Sequence, residues 1–152
     1  MFNFGGRRPT PSLENHAQTV EQILLSLGVE LDKARMNTHE GFGWRFMRGS
    51  ALIEVYISQR EEIGYFQVLS PILHLPQIGL LPLYRRLLEL NLQLTNAAFG
   101  VYFETVYVFS ERQVAGMDAN EANSVIAFVA NCADAYDDQL VNEFGGRLYN
   151  HI

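Results

Sequence analysis

The sequence contains a single cysteine, Cys132, so no disulfide can form within the chain. It has no uninterrupted run of about 18 apolar residues, which is the length that a membrane-spanning helix needs. Its first residues, MFNFGGRRPTPS, also lack the apolar core of a secretory signal peptide. We therefore expect a cytoplasmic protein with no membrane span.

Positive charge is missing from one long segment of the chain. Between Gln113 and Gly146 there are six acidic residues and neither a lysine nor an arginine. The other residues balance, with eleven acidic side chains against eleven basic ones, so the net charge of −6 arises in this segment. Such a segment repels phosphate backbones. Nucleic acid is therefore not expected as a partner.

Motifs for catalysis and for metal or cofactor binding are also missing. The four histidines lack the H-x-H and H-E-x-x-H spacings that bring zinc ligands together. Gly41-Phe42-Gly43 is not followed by the third glycine of a dinucleotide fingerprint, and no P-loop or G-x-S-x-G is present. We interpret the three aspartates Asp134, Asp137 and Asp138 as a solvated face rather than a cation site. The sequence thus predicts a non-enzymatic protein without a metal or cofactor. An unrecognised hydrolase or metal enzyme is the hypothesis that we rank last, after the two given below.

The most conspicuous feature that is present is the leucine-rich stretch Leu80–Thr95, LLPLYRRLLELNLQLT. It predicts a helix with Pro82 in its first turn, where a missing N–H is tolerated. Its apolar arc spans about 200°, wider than the roughly 100° of an ordinary surface helix. We therefore predict that this helix is buried on two sides, against a sheet and against another helix or a second subunit. At about 100° per residue, the arc divides into one stripe of Leu83, Leu87, Leu90 and Leu94, and a second of Tyr84, Leu88 and Leu92.

Asn91 lies in the middle of this apolar arc. A buried amide without a partner costs on the order of 1–3 kcal/mol, so we expect it to be hydrogen-bonded. The favoured interpretation is a structural bond to a neighbouring loop or strand end. The alternative is a polar contact to a ligand, which would make the protein a small-ligand sensor or regulator with a pocket near Asn91.

Hydrophobic periodicity predicts the other elements. Thr10, followed by Pro11, or Ser12 itself can cap a first helix that ends before Gly28. Val29–Lys33 is a possible short strand. Three strands then follow in GWRFM, ALIEVYISQ and IGYFQVLSPIL, and Pro71 in the third indicates an edge or a bulge. Two further strands, AFGVYFE and VYVFSE, follow the central helix. A last helix runs from the N-cap Asp118 to Phe144, with Glu121 three residues after Asp118 as in a capping box.

The predicted fold is α+β, with the order α-β-β-β-α-β-β-α and a five-stranded antiparallel sheet against which the helices pack. We assign residues 1–11 to a flexible N-terminal tail and residues 12–152 to a single α+β domain.

Aromatic residues on the strands suggest where a partner binds. Alternation cannot send all of them to one face of the sheet, so we expect some to lie on the face away from the helices. Tyrosine and tryptophan are common anchors of protein interfaces. The candidate partner-binding residues are Trp44, Tyr56, Tyr65, Tyr102, Tyr107 and, at the flank of the last helix, Phe128.

Four segments together resemble the YbjN-like family, its cyanobacterial branch in particular: WRFMRGSALIEVYIS, LYRRLLELN, AFGVYFETVYVFSE and VANCADAYDDQLVNEFGG. That family resembles the type III secretion chaperones in fold. The resemblance implies a non-enzymatic chaperone-like, adaptor or regulatory protein that binds a partner polypeptide. It also implies a homodimer, since secretion chaperones are typically small acidic homodimers, and it supplies no catalytic residue.

Overall fold

Residues 11–149 are the part of the chain that this computed structural model describes, and they contain four helices and seven strands. The predicted tail, except its last residue, and the predicted cap Thr10 lie outside these residues. The helices are α1 (Pro11–Ser26), α2 (Leu31–Ala34), α3 (Leu80–Asn91) and α4 (Ala119–Phe144). The strands are β1 (Arg35–Met36), β2 (Phe42–Arg48), β3 (Ala51–Arg60), β4 (Ile63–His74), β5 (Ala98–Tyr102), β6 (Thr105–Gln113) and β7 (Arg147–Leu148).

All seven strands belong to one antiparallel sheet in the order β1-β2-β3-β4-β6-β5, with β7 pairing to the end of β4. The prediction of five strands was therefore wrong, and the element order differs. The additional strands β1 and β7 have two residues each, too short for an alternating pattern to reveal. The possible strand at Val29–Lys33 was also wrong, because the four-residue helix α2 starts at Leu31.

Strand β4 lies inside the sheet, between β3 and β6. Its pairing with β3 ends at Leu69 and its pairing with β6 shifts register between Pro71 and Leu73, so the proline lies beyond the β3 pairing and beside a bulge. Proline has no N–H for a ladder bond, and a bulge is one of the few places where an inner strand tolerates it.

One face of the sheet, which we call the covered face, carries the core. Alternate residues of β3 and its neighbour β4 point to this face, and they include Ile53, Val55, Ile57, Phe66 and Val68, each no more than 1% exposed. All four helices bury apolar side chains in the same cluster. Helix α4 crosses the sheet over β3, β4 and β6, with α1 beside it.

The start of α4 agrees with its predicted capping box. The Asp118 carboxylate accepts a bond from the Glu121 N–H at 2.8 Å, and the Glu121 carboxylate accepts one from the Asp118 N–H at 2.9 Å. These two bonds satisfy N–H groups that have no partner inside a helix. They fix the end of the helix that enters over β6.

Helix α3 is covered on one side only. The first predicted stripe is buried at Leu83, Leu87 and Leu90. In the second region of the arc, Leu88 is 68% exposed and Leu92, just after the helix, is 89% exposed. Within the described residues no element covers Leu88 and Leu92, so the predicted cover by another helix on this side is wrong; the alternative, cover by a second subunit, stays a prediction. The helix also ends at Asn91, four residues before the predicted end.

Candidate functional site

The side of the sheet away from the helices, which we call the open face, is a second and smaller apolar surface. Leu52 and Leu69 are only 5% and 6% exposed, yet they lie outside the cluster that the helices cover. They sit on the other side because side chains alternate along a strand. By the same alternation and the pairing register, the open face carries Arg45, Met47, Leu52, Glu54, Tyr56, Tyr65, Gln67, Leu69, Tyr102, Tyr107, Phe109 and Glu111.

The four candidate tyrosines all lie on this open face, with Tyr65 and Tyr102 at opposite ends of the sheet. Tyr56 and Tyr65 belong to the neighbouring strands β3 and β4, while Tyr107 and Tyr102 belong to β6 and β5. All four are half-buried, so a part of each ring remains accessible. Alternation shows which strand residues share a face, but the sequence does not show which of the two faces the helices cover.

The structure removes Trp44 from the candidate surface. Its side chain is 1% exposed on the covered face, and its indole N–H donates to Glu21 Oε1 at 3.1 Å. Arg35 donates to both oxygens of the same carboxylate, at 2.7 and 3.0 Å. Trp44 is therefore a core residue with a satisfied N–H. The sequence did not reveal this, because its partner Glu21 lies on another element.

A polar cluster around the carboxylate of Glu54 occupies the β2–β3 part of the open face. The Tyr56 hydroxyl donates to Glu54 Oε2 at 2.7 Å, and Arg45 Nε lies 3.9 Å from Glu54 Oε1. Burial, and then the bond to Glu54, raise the pKa of Tyr56. Burial and the Glu54 charge also raise the pKa of Tyr107. Both phenols therefore remain protonated near neutral pH and can donate hydrogen bonds, but they cannot serve as bases.

A second polar cluster lies where β3, β4 and β6 run side by side. Gln67 Nε2 donates to Glu111 Oε1 at 2.8 Å, and the Arg60 guanidinium contacts the same oxygen. Arg60 also lies 3.9 Å from the centre of the Tyr65 ring, a cation–π contact. The charged groups are thus matched within the face. Aromatic and apolar surface is what remains for contact with another molecule.

Phe128 lies on a separate groove of about 770 Å³ between the end of β6 and the first turns of α4. Phe109 borders the same groove, and each of the two rings is 39% exposed. Strand β5 begins at Ala98 opposite Phe109, so within residues 11–149 β6 has no strand partner on that side from Ser110 to Gln113. The groove therefore joins the open face to the helix layer along a free strand edge.

Asn91 binds the edge strand β5. Its side-chain amide donates to the Phe99 carbonyl at 3.3 Å, and its oxygen accepts from the Phe99 N–H at 2.8 Å. The pair of bonds ties the end of α3 to the outermost strand of the sheet. Asn91 does not line the groove beside α4. It also does not line a shallow depression of about 470 Å³ on the outer side of α3, which is formed by Leu81, Tyr84, Arg85, Leu88, Glu89 and Leu92.

The described residues offer little for catalysis or metal binding. No three His, Cys, Asp or Glu side chains among residues 11–149 come together as a metal site would require. Burial raises the pKa of the Cys132 thiol to about 11, so the reactive thiolate is scarce at neutral pH. None of the helices in the same range is long and apolar enough to cross a membrane.

Comparison with known proteins gives a match in structure but none in sequence. No protein-family model matches this chain, and no curated protein matches it. A chain of the HopA1-SchA chaperone–effector complex superposes with a TM-score of 0.62 at 8% sequence identity, covering 86% of this chain and 98% of the other. The fold is chaperone-like. At such low identity the likeness describes the fold alone, because one fold can host many functions.

Proposed function

We propose that this protein is a non-enzymatic, chaperone-like or adaptor protein that binds a segment of another polypeptide on the open face. The observation that carries the proposal is the open face itself. Within the described residues the helices cover only one side of the sheet, while the other side presents four half-buried tyrosines together with Leu52 and Leu69. The fold shared with a chain of a chaperone–effector complex supports the same interpretation.

The chemistry of the open face suits a polypeptide better than a small charged ligand. Tyrosine rings supply large contact areas with few rotatable bonds, so ordering them on binding costs little entropy. The carboxylates Glu54 and Glu111 already have partners within the face. The hypothesis of a small-ligand sensor has less support, because both amide atoms of Asn91 bond to Phe99.

Four further predictions from the sequence belong to the proposal. These are membership in the YbjN-like family, a cytoplasmic location, a homodimeric state and the absence of catalytic activity. We also retain a single α+β domain over residues 12–152 as part of the proposal, together with the expectation that nucleic acid is not a partner.

The test uses reduced, carboxymethylated lactalbumin as an unfolded probe, with binding measured by titration calorimetry. We expect the native protein to bind the probe. The double variant Tyr107→Ser/Phe109→Ser should bind at least about tenfold more weakly, because tenfold corresponds to about 1.4 kcal/mol, well within the contribution of two aromatic contacts. Circular dichroism should show unchanged secondary structure.

The matched control is Leu25→Ser, which removes an exposed apolar side chain on α1, away from the sheet. It should bind the probe as tightly as the native protein. The proposal is contradicted if the native protein does not bind the probe, or if the open-face variant and the control bind equally well.

A further inference from the structure

The free edge of β6 directs backbone hydrogen-bond groups away from the sheet. The Val114 N–H donates to the Gly64 carbonyl at 2.9 Å, which continues the β4–β6 ladder past the end of β6. In an antiparallel ladder, each residue directs its N–H and its C=O to the same neighbouring strand, and successive residues alternate between the two sides. Counting back from Val114, Arg112 therefore directs its backbone groups to β4, and Glu111 directs its groups to the free edge.

The edge strand β5 shows how this fold satisfies outward backbone groups elsewhere. The N–H and C=O of Phe99 point away from β6, and the Asn91 amide binds both of them. Among residues 11–149, no such bond is made to the N–H or the C=O of Glu111. An unpaired strand edge of this kind is a template for another strand.

The groove beside α4 provides the space for such a strand. It has a volume of about 770 Å³ and lies where β5 would continue before Ala98. The chain that leads into β5 forms a wall of this groove, through Asn96 and Ala97, and does not fill it. On the helix side the groove is bordered by Phe128, whose ring is 39% exposed. An added strand would therefore lie between the β6 edge and an exposed aromatic ring.

The charges around the groove favour a basic partner. Three carboxylates and one guanidinium line it: Glu111, Asp118, Glu121 and Arg112. The Arg112 guanidinium lies 3.1 Å from Glu121 Oε2, so its charge is already matched by that carboxylate. The segment from Gln113 to Gly146, which includes the whole of α4, contains neither lysine nor arginine. A surface of one sign attracts segments of the opposite charge.

We propose that an extended polypeptide segment with alternating basic and apolar residues adds to the β6 edge at Glu111 as an antiparallel strand. Its basic residues lie on the open face beside the Glu111 carboxylate, because residues directly opposite each other in a sheet share a face. Its apolar residues point to the other face, toward Phe128. The inference rests on the proposed function in that the partner is a polypeptide, and it adds a second site with its own partner chemistry.

The first test measures fluorescence anisotropy with a labelled peptide, Arg-Val-Arg-Val-Arg-Val-Arg. The native protein should bind it, and the acidic peptide Glu-Val-Glu-Val-Glu-Val-Glu should bind at least about tenfold more weakly, because like charges repel. The residue opposite Glu111 directs its own N–H to β6, and in the proposed pairing this residue is an arginine. N-methyl groups on the arginines should therefore weaken binding by at least about tenfold, while N-methyl groups on the valines should change it by less than about twofold.

The second test compares Glu111→Pro with its matched control Glu111→Thr. Both variants lack the carboxylate, but only the proline variant lacks the outward N–H. Since that N–H faces away from β4, its loss removes no bond of the sheet within residues 11–149. Glu111→Pro should bind the basic peptide at least about tenfold more weakly than Glu111→Thr. Circular dichroism and urea denaturation check that both variants fold.

A third variant separates this site from the open face. Tyr107→Ser lies on the open face and does not line the groove. It should weaken binding of carboxymethylated lactalbumin and leave binding of the basic peptide unchanged. A native protein that binds the peptide but not lactalbumin would contradict the proposed function while supporting the site at the β6 edge.

Four results would overturn the inference. The first is a native protein that does not bind the basic peptide, and the second is equal binding of the two N-methylated peptides. The third is equal binding of the peptide by Glu111→Pro and Glu111→Thr. The fourth is self-association of the native protein, measured by sedimentation velocity, that Glu111→Pro abolishes and that the peptide does not displace, since the edge would then bind a second copy of the chain.

Discussion

The two faces of the sheet are built from alternate residues of the same strands, yet they differ in burial and in polarity. Along β3, Val55 and Ile57 on the covered face are at most 1% exposed and belong to the hydrophobic core cluster. Glu54 and Tyr56, on the open face, bond to each other and remain half-buried. The strand therefore serves stability with one set of side chains and presents a surface with the other.

The largest expected difference between the faces is in stability. Phe66→Ala on the covered face should lower the free energy of unfolding by about 3–5 kcal/mol, because it leaves a cavity in a close-packed core. Tyr65→Ala, the next residue along β4 but on the open face, should cost about 1 kcal/mol. Urea denaturation of both variants measures the difference. Equal losses would mean that the open face is also core.

A smaller loss of stability is expected where the end of α3 is bonded to the edge strand β5. Asn91→Ala removes both bonds to the Phe99 backbone and should cost about 1–2 kcal/mol in urea denaturation. Gln93→Ala replaces an exposed neighbour and should change stability by less than about 0.5 kcal/mol. If the two variants are equally stable, Asn91 does not hold the edge strand.

The covered face also has a charged boundary that predicts a pH dependence. Glu21 accepts bonds from Arg35 and Trp44, and the Arg35 bond is the main cause that lowers its pKa, although burial acts in the opposite direction. The folded pKa is therefore below the unfolded value of about 4.3. Its stabilising contribution is present above that value and is lost as the pH falls through the folded pKa.

Glu21→Gln should therefore be less stable than the native protein by about 1–2 kcal/mol at pH 7. The two proteins should approach equal stability once the pH falls below the folded pKa of Glu21. Urea denaturation curves recorded at steps from pH 7 to pH 3 measure this. A stability difference that stays constant over that range would show that the ionised carboxylate is not responsible.

The last and smallest expected effect concerns the reaction rate of the Cys132 thiol and needs no substitution. The thiol is 8% exposed, and burial raises its pKa to about 11. Its reaction with a disulfide reagent at pH 8 should be at least about tenfold slower in the native protein than in urea, because the thiolate is both scarce and covered. Equal rates would show that α4 opens readily from the covered face.

Periodicity predicted the long elements, because each of them buries one regular stripe or one alternating set of residues. The residue types and their spacing located the α4 capping box, because it depends only on Asp118 and on Glu121 three residues later. The strands β1 and β7 escaped because two residues carry no pattern, and their pairing depends on the distant strands β2 and β4.

The candidate site was predictable only in part. Alternation separates the two sets of residues on each strand, but it does not show which set the helices cover. Trp44 was a candidate because tryptophan is a common anchor of protein interfaces. Its burial depends on contacts with other elements, such as the bond to Glu21, 23 residues earlier in the chain. For helix α3, the apolar width predicted cover on a second side by another helix or a second subunit. Residues 11–149 supply no such helix over Leu88 and Leu92, and the second subunit stays a prediction.

The most direct test of the central claim is photo-crosslinking from the two sides of the molecule. The variant Phe109→p-benzoylphenylalanine places the crosslinker on the open face, and Leu25→p-benzoylphenylalanine places it on α1, behind the covered face. With carboxymethylated lactalbumin as the unfolded probe, we predict crosslinks from position 109 and few from position 25. Equal crosslinking from both positions, or crosslinking from position 25 alone, would contradict the assignment of polypeptide binding to the open face.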